Sequence, residues 1–421
     1  MKIAMSVAES YGQRTKEMKH KKNKVSSITL RLPASAVSST LRLSVSAVTL
    51  LILFSFFASC TKDPVEEPYK PTPYQIEIPF GFPTKLNIPD DNPMTVEGIE
   101  LGRYLFYDGR LSGRTHPDSL MSCATCHRQE RSFEAGIDHP LFEGGHPQGI
   151  TGIKTHHVML PFINLVWNHS GYGWNGFIYP ENPNDELRNI EDFVRLAVLA
   201  EDEIAGDTTR IKILFQSLDS YPELFAKAFG SEKVTFKNIG RAIAQFIRTL
   251  ISANSRFDKY MKGELQLTQS ELNGFVLFTT EEGADCFHCH GGFGNPLFTT
   301  HLYYNNGKDT VYSDPIDRFA ITSDPMDRGA YKATTLRNIE VQAPYMHDGR
   351  FTTLEDVIDY YSHDLLWSPE VNPLMHHVNR GGVQLLPFEK LDLLNFIKAL
   401  HDDEFLTNPS FSKPEKFPDQ Q

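Results

Sequence analysis

Apolar residues recur at three- and four-residue spacing in five stretches of this chain, and each stretch predicts a helix. The first begins near Met94 and carries Ile99, Leu101, Leu105 and Phe106. In the second, Thr235 is placed to cap a helix that buries Phe236, Ile239, Ile243, Phe246, Ile247 and Leu250. Thr268 and Glu271 have capping-box spacing ahead of a third, Leu272–Phe278. A fourth spans about Leu354–Tyr361, and Phe388–Leu400 is the fifth. Alternating patterns are scarce. The expected fold is mainly α, with long loops.

One apolar run has a different character. Val45–Ser59, with Leu50-Leu51-Ile52-Leu53-Phe54-Ser55-Phe56-Phe57 at its centre, follows the basic stretch Lys19-His20-Lys21-Lys22-Asn23-Lys24. Basic region, apolar region and the small pair Ala58-Ser59 read as a secretory signal over residues 1–59, with Met18 an alternative start. The run is short for a membrane span and ends at a processing site. Its ending resembles a bacterial lipobox, although Phe57 stands where a smaller aliphatic residue is preferred. Cys60 would then be the lipidated first mature residue and attach the protein to a membrane. An uncleaved anchor would also leave the body outside the cytoplasm. Residues 60–92 hold seven prolines between Pro64 and Pro89, which predicts a stiff, extended tether.

Processing changes the charge. The chain carries −12 overall; its first 59 residues hold nine Lys/Arg against two Asp/Glu, so the remainder carries −19. An acidic body argues against nucleic acid as a partner and suits steering of a basic redox protein, or simply solubility. About 360 mature residues are enough for two domains.

Chemistry enters with the cysteines. Of five, four fall in two copies of Cys-x-x-Cys-His: Cys123-Ala-Thr-Cys126-His127 and Cys286-Phe-His-Cys289-His290. At this composition chance supplies roughly 0.002 such motifs. The pattern is the attachment site of a c-type haem, the thiols binding the porphyrin and the His binding its iron. Structural zinc would bring Cys pairs within ~15–20 residues of each other, and these pairs are far more distant. Two covalently bound haem c groups are expected. Their presence also favours the periplasm or cell envelope.

The flanking sequence resembles the bacterial dihaem cytochrome c peroxidase and MauG family. Leu101-Gly102-Arg103-Tyr104-Leu105-Phe106-Tyr107-Asp108 carries the likeness before the first motif. Thr335-Leu336-Arg337-Asn338-Ile339 and Ala343-Pro344-Tyr345-Met346-His347-Asp348-Gly349 carry it after the second. The resemblance covers about residues 90–410. It implies two cytochrome c-like domains, here 93–265 and 266–410, followed by a tail over 411–421. It also implies hydrogen peroxide as substrate at the N-terminal haem and electron storage at the C-terminal one. A small cytochrome c or a cupredoxin would be the donor.

Site residues follow by position. Glu203 falls where the family places a carboxylate over the peroxidatic haem, though it also belongs to the acidic run Glu201-Asp202-Glu203. Trp174 matches the family's tryptophan between the haems, with Asn175 and Phe177 departing from the pattern and Trp167 as rival. Tyr361 stands where the peroxidases have a methionine ligand to the second iron and MauG has tyrosine. Leu354, Val357, Ile358 and Tyr361 share one helical face, and Tyr360 points away from it. His363 and Met375 are less well placed as ligands. His139, His146, His156 and His157 are candidates for a distal ligand of the first haem, His146 nearest in order, and an open iron is the alternative. The family's calcium retains only the carbonyls of Ala333 and Thr335, because its Asn region reads Thr155-His156-His157-Val158 here. The readings left open are peroxidase, MauG-like oxidase acting on a protein side chain, and electron-transfer cytochrome without catalysis.

Overall fold

The computed structural model describes residues 69–184 and 186–420. The expected signal, Cys60 and the start of the tether lie outside them. From Lys70 onward the chain forms one compact unit, mainly helical, with two hydrophobic cores that each hold one Cys-x-x-Cys-His motif.

The first core is built on α1 (Val96–Tyr107), α2 (Cys123–Cys126), α3 (Ile190–Leu199), α4 (Thr208–Gln216), α5 (Tyr221–Phe229) and α6 (Phe236–Arg248). Thr95 caps α1, its hydroxyl accepting from the Gly98 amide, and Thr235 caps α6 through the Asn238 amide. α1 crosses α6 at Gly102, where a Cβ would stand 1.9 Å from the Ala242 carbonyl oxygen. Only glycine allows that approach.

The second core repeats this construction. It comprises α7 (Arg256–Met261), α8 (Gln269–Phe278) and the single turn α9 (Phe287–His290). The turn α10 (Phe319–Thr322) follows in the chain, then α11 (Leu354–His363) and α12 (Pro387–Lys398). The capping box Thr268–Glu271 opens α8, and α8 crosses α12 at Gly274, 2.0 Å from the Asp392 carbonyl by the same measure. Each core also contains one buried arginine in a two-pronged ion pair: Arg248 with Glu191 in the first, Arg337 with Asp258 in the second. Between the cores, β1 (Tyr303–Tyr304) pairs antiparallel with β2 (Tyr331–Lys332).

Two segments depart from expectation. Residues 70–92 are packed rather than extended as a free tether: Ile76 and Phe82 are buried beside Trp167 and Leu297, and the Trp167 indole donates to the Pro83 carbonyl. The prolines shape a strap whose apolar residues find a groove. At the other end, α13 (Asp403–Thr407) and the tail return to the first core, where Phe405 and Phe411 are buried. Arg103 donates to the Pro409 and Ser412 carbonyls, and Arg110 pairs with Asp419. The tail is therefore part of the first core's wall.

Candidate active site and comparison with known proteins

Local geometry prepares both motifs for a metal-bearing ligand. Ser122 and Thr125 form a capping box that starts α2, and the turn ends at His127. The His127 Nδ1 is held by the Phe133 carbonyl and its ring stacks on Phe162 at 3.9 Å. Burial lowers its pKa to about 4. In the second motif, the Thr334 carbonyl holds His290 Nδ1 at 3.0 Å, and burial again lowers the pKa to about 4. Both imidazoles are neutral near pH 7, and a bond at Nδ1 leaves Nε2 as the coordinating nitrogen.

The second motif opens into a cavity with about 1470 Å³ of atom-free space, its mouth included. Cys286, Cys289 and His290 line it with Leu354, Ile358 and Tyr361 of α11. Tyr361 faces this cavity as its helical position predicts, and its hydroxyl accepts from the Asn306 side chain at 2.9 Å. Burial raises the Tyr361 pKa, and the Asn306 bond opposes that shift. Tyr360 points elsewhere and donates to the Asn306 carbonyl. Met346 and Met375 also line the cavity, whereas His363 sits outside beside Lys390.

Glu203 lies near the first motif. The residue is half-buried, and burial, with Asp202 adding repulsion, raises its pKa to about 7. Burial and then the Glu203 charge raise the Cys123 and Cys126 thiols to about 12 each. The Glu203 loop is clamped by the loop before it: Ile150 donates its amide to the Glu203 carbonyl, and Thr151 its hydroxyl to the Glu201 carbonyl. Gly149 sits against the same backbone, 2.7 Å from the Glu203 nitrogen measured from an ideal Cβ.

Trp174 is half-buried and lines the second cavity, its indole donating to the Val158 carbonyl at 2.8 Å. Trp167 is a core residue of the strap. Of the distal-ligand candidates, His139 is bonded to the Thr125 carbonyl and stacked on Phe142. His156 and His157 are both bonded to Asp314. His146 remains, half-buried, with Nε2 against Gly349.

The expected calcium position is a poor fit. Such sites gather about six to eight oxygens. Here the Ala333 carbonyl accepts from the Thr299 hydroxyl, and the buried amine of Lys332 is next in the chain, donating to the His301 carbonyl. Burial lowers the Lys332 pKa to about 7, Arg318 adding to the effect. Lys332, Asn306 and Asp314 went unnoticed in the sequence. None sits in a motif or a periodic stretch.

Residues 96–266 match the family described as di-haem cytochrome c peroxidase. The chain is 30% identical over 328 residues to the methylamine utilization protein MauG of Methylorubrum extorquens, covering 76% of this chain and 83% of that protein. It is 31% identical over 271 residues to the cytochrome c551 peroxidase of Nitrosomonas europaea, covering 63% and 73%. Among solved structures, a MauG-like protein associated with microbial copper homeostasis superposes with a TM-score of 0.68 at 34% identity, covering 82% of this chain and all of that one. With both haem-binding motifs in place and relatives of both kinds, the chain belongs to the di-haem cytochrome c peroxidase and MauG family of oxidoreductases, whose members carry two haem c groups.

Proposed function

We propose that this protein is a dihaem peroxidase that reduces hydrogen peroxide to two waters with two electrons and two protons. A small cytochrome c or cupredoxin would supply the electrons, and nucleic acid has no part. The observation that carries the reading is Glu203, a half-buried carboxyl near the first motif whose pKa of about 7 lets it both take and give a proton. The haems, when bound, supply the iron redox chemistry of O–O cleavage and electron storage. Cys123 and Cys126 would hold the first, with His127 on its iron; Cys286 and Cys289 would hold the second, with His290 and Tyr361 on its iron. Glu203 takes the proton from one peroxide oxygen and returns it to the leaving oxygen. Trp174, bonded to the Val158 carbonyl and lining the second cavity, offers an aromatic relay. Calcium is not needed in this scheme.

The address that suits this chemistry is the periplasm or cell envelope, with attachment through a lipid on Cys60. No helix among the described residues is long and apolar enough to cross a membrane.

A second reading is favoured by Tyr361. An anionic oxygen ligand suits ferric and higher iron, which fits a MauG-like oxidase that withdraws electrons from a protein side chain. Peroxide consumption with a reduced cytochrome or cupredoxin decides between them. Steady turnover supports the peroxidase; turnover confined to oxidation of a protein partner supports the oxidase. Ferric EPR tests catalysis itself, since two low-spin haems would mark an electron carrier.

A further inference from the structure

We propose that His156, His157 and Asp314 form a binding site for a divalent late transition-metal ion, Zn²⁺ or Cu²⁺, beside Trp174. The His156 Nε2 lies 2.8 Å from one Asp314 carboxylate oxygen and the His157 Nε2 lies 2.6 Å from the other. All three donor atoms fall within 4.8 Å of one another. Ligands around one zinc sit about 2.0–2.2 Å from the metal, so small side-chain rotations would close the set on an ion.

The surroundings are built to hold these donors. The Thr155 hydroxyl bridges the Pro147 and His157 carbonyls, fixing the two histidines on their loop. Across from them, the Asp314 carboxylate accepts from the Ile316 amide and from the Tyr331 hydroxyl. Outer bonds of this kind orient a metal-binding carboxylate. A third imidazole, His347, has its Nε2 3.9 Å from Asp314 and is available as a fourth donor. His157 and Asp314 are largely buried while His156 is 48% exposed, which gives an ion its way in. Two or three imidazoles with one carboxylate suit zinc or copper, whereas calcium and magnesium prefer oxygen alone.

The site's position gives it a consequence. The His157 and His347 rings lie edge-on to Trp174, at 6.5 and 6.3 Å between centroids. Trp174 and His347 both line the second cavity. A dication there would make the indole harder to oxidise. The assignment rests on the donor set alone and stands or falls separately from the peroxidase reading.

The holoprotein, washed with chelator, incubated with ZnCl₂ and desalted, should retain one zinc per chain beyond its two irons, by elemental analysis. His157→Ala and Asp314→Ala should abolish retention, and exposed His156→Ala should weaken calorimetric zinc affinity by at least ~10-fold. The last variant keeps the test valid if Asp314→Ala misfolds. His376→Ala, at the other His/Glu cluster, Glu281-His288-His376, should change nothing. No retained zinc, unchanged affinity in His156→Ala, zinc lost in His376→Ala instead, or displacement by CaCl₂ would each overturn the site.

Discussion

The Asn306 side-chain amide donates to the Tyr361 hydroxyl oxygen at 2.9 Å, and the same nitrogen lies 3.8 Å from the Met346 sulfur. A donor aimed at a phenol oxygen stabilises the phenolate and draws charge from it. With Tyr361 on the second iron, Tyr361→Phe should convert that haem from low-spin to high-spin in ferric EPR. An unchanged spectrum would remove Tyr361 from the ligand set. Tyr361→Met should raise the potential in a spectroelectrochemical titration, and Asn306→Ala should lower it, because the phenolate loses its only described partner and donates more strongly.

Glu203 sets a pH dependence. Its carboxyl is raised to about 7, so it is protonated and inactive as a base below that pH. Peroxide kcat/KM should rise with pH through about 7 and then level off. Glu203→Gln should slow turnover by ~10²-fold or more and abolish that limb, with ferric spectra preserved. Normal turnover in the variant would pass the proton role elsewhere, Glu201 being the first to test.

Gly149 positions Glu203 through its backbone. A Cβ there would stand 2.5 Å from the Asp202 carbonyl carbon and 2.7 Å from the Glu203 nitrogen, and backbone cannot rotate aside. Gly149→Ala should shift the loop and cost up to ~10²-fold in turnover, as misplacement by about 1 Å can. Haem content should stay at the wild-type level; a loss of haem instead would point to general misfolding.

Asp258 is the sole carboxylate bonded to Arg337, whose side chain is fully buried among the described residues. Burial alone would raise the Asp258 pKa, but the Arg337 bonds hold it below its usual value. Asp258→Ala should destabilise the fold by about 3–5 kcal/mol in denaturant unfolding, since a buried cation is left unpaired. The stability this pair contributes is present above the ordinary carboxylate range and should fade as pH falls below it.

Mass spectrometry of denatured protein should find two covalent haems, and Cys126→Ala or Cys289→Ala should each leave one haem weakly attached. A mass for a single haem would disprove the dihaem assignment.

Much of this was legible in the chain, for physical reasons that differ by element. The helices at Val96, Phe236, Gln269, Leu354 and Pro387 announced themselves through apolar spacing, helped at Phe236 and Gln269 by the caps Thr235 and Thr268. Others of nine or ten residues, Ile190–Leu199, Thr208–Gln216 and Tyr221–Phe229, were passed over. The first carries a capping box, Asn189 with Asp192, that could have revealed it. The haem motifs were readable because each is local, and the cavity-facing position of Tyr361 because a helix face is periodic, while its ligand role came from the resemblance alone. Asp314 and Asn306 lie on irregular segments and meet partners 157 and 55 positions away. No local pattern encodes such a meeting.

The return of the C-terminus has a consequence for how the molecule is made. Phe405, Phe411 and Asp419 finish a wall whose other residues were synthesised some three hundred positions earlier. Completing the first core therefore waits on contacts of very long sequence separation, which slow folding. The C-terminal segment closes the first core behind its motif: Phe405 packs edge-on against Phe133, whose carbonyl holds His127.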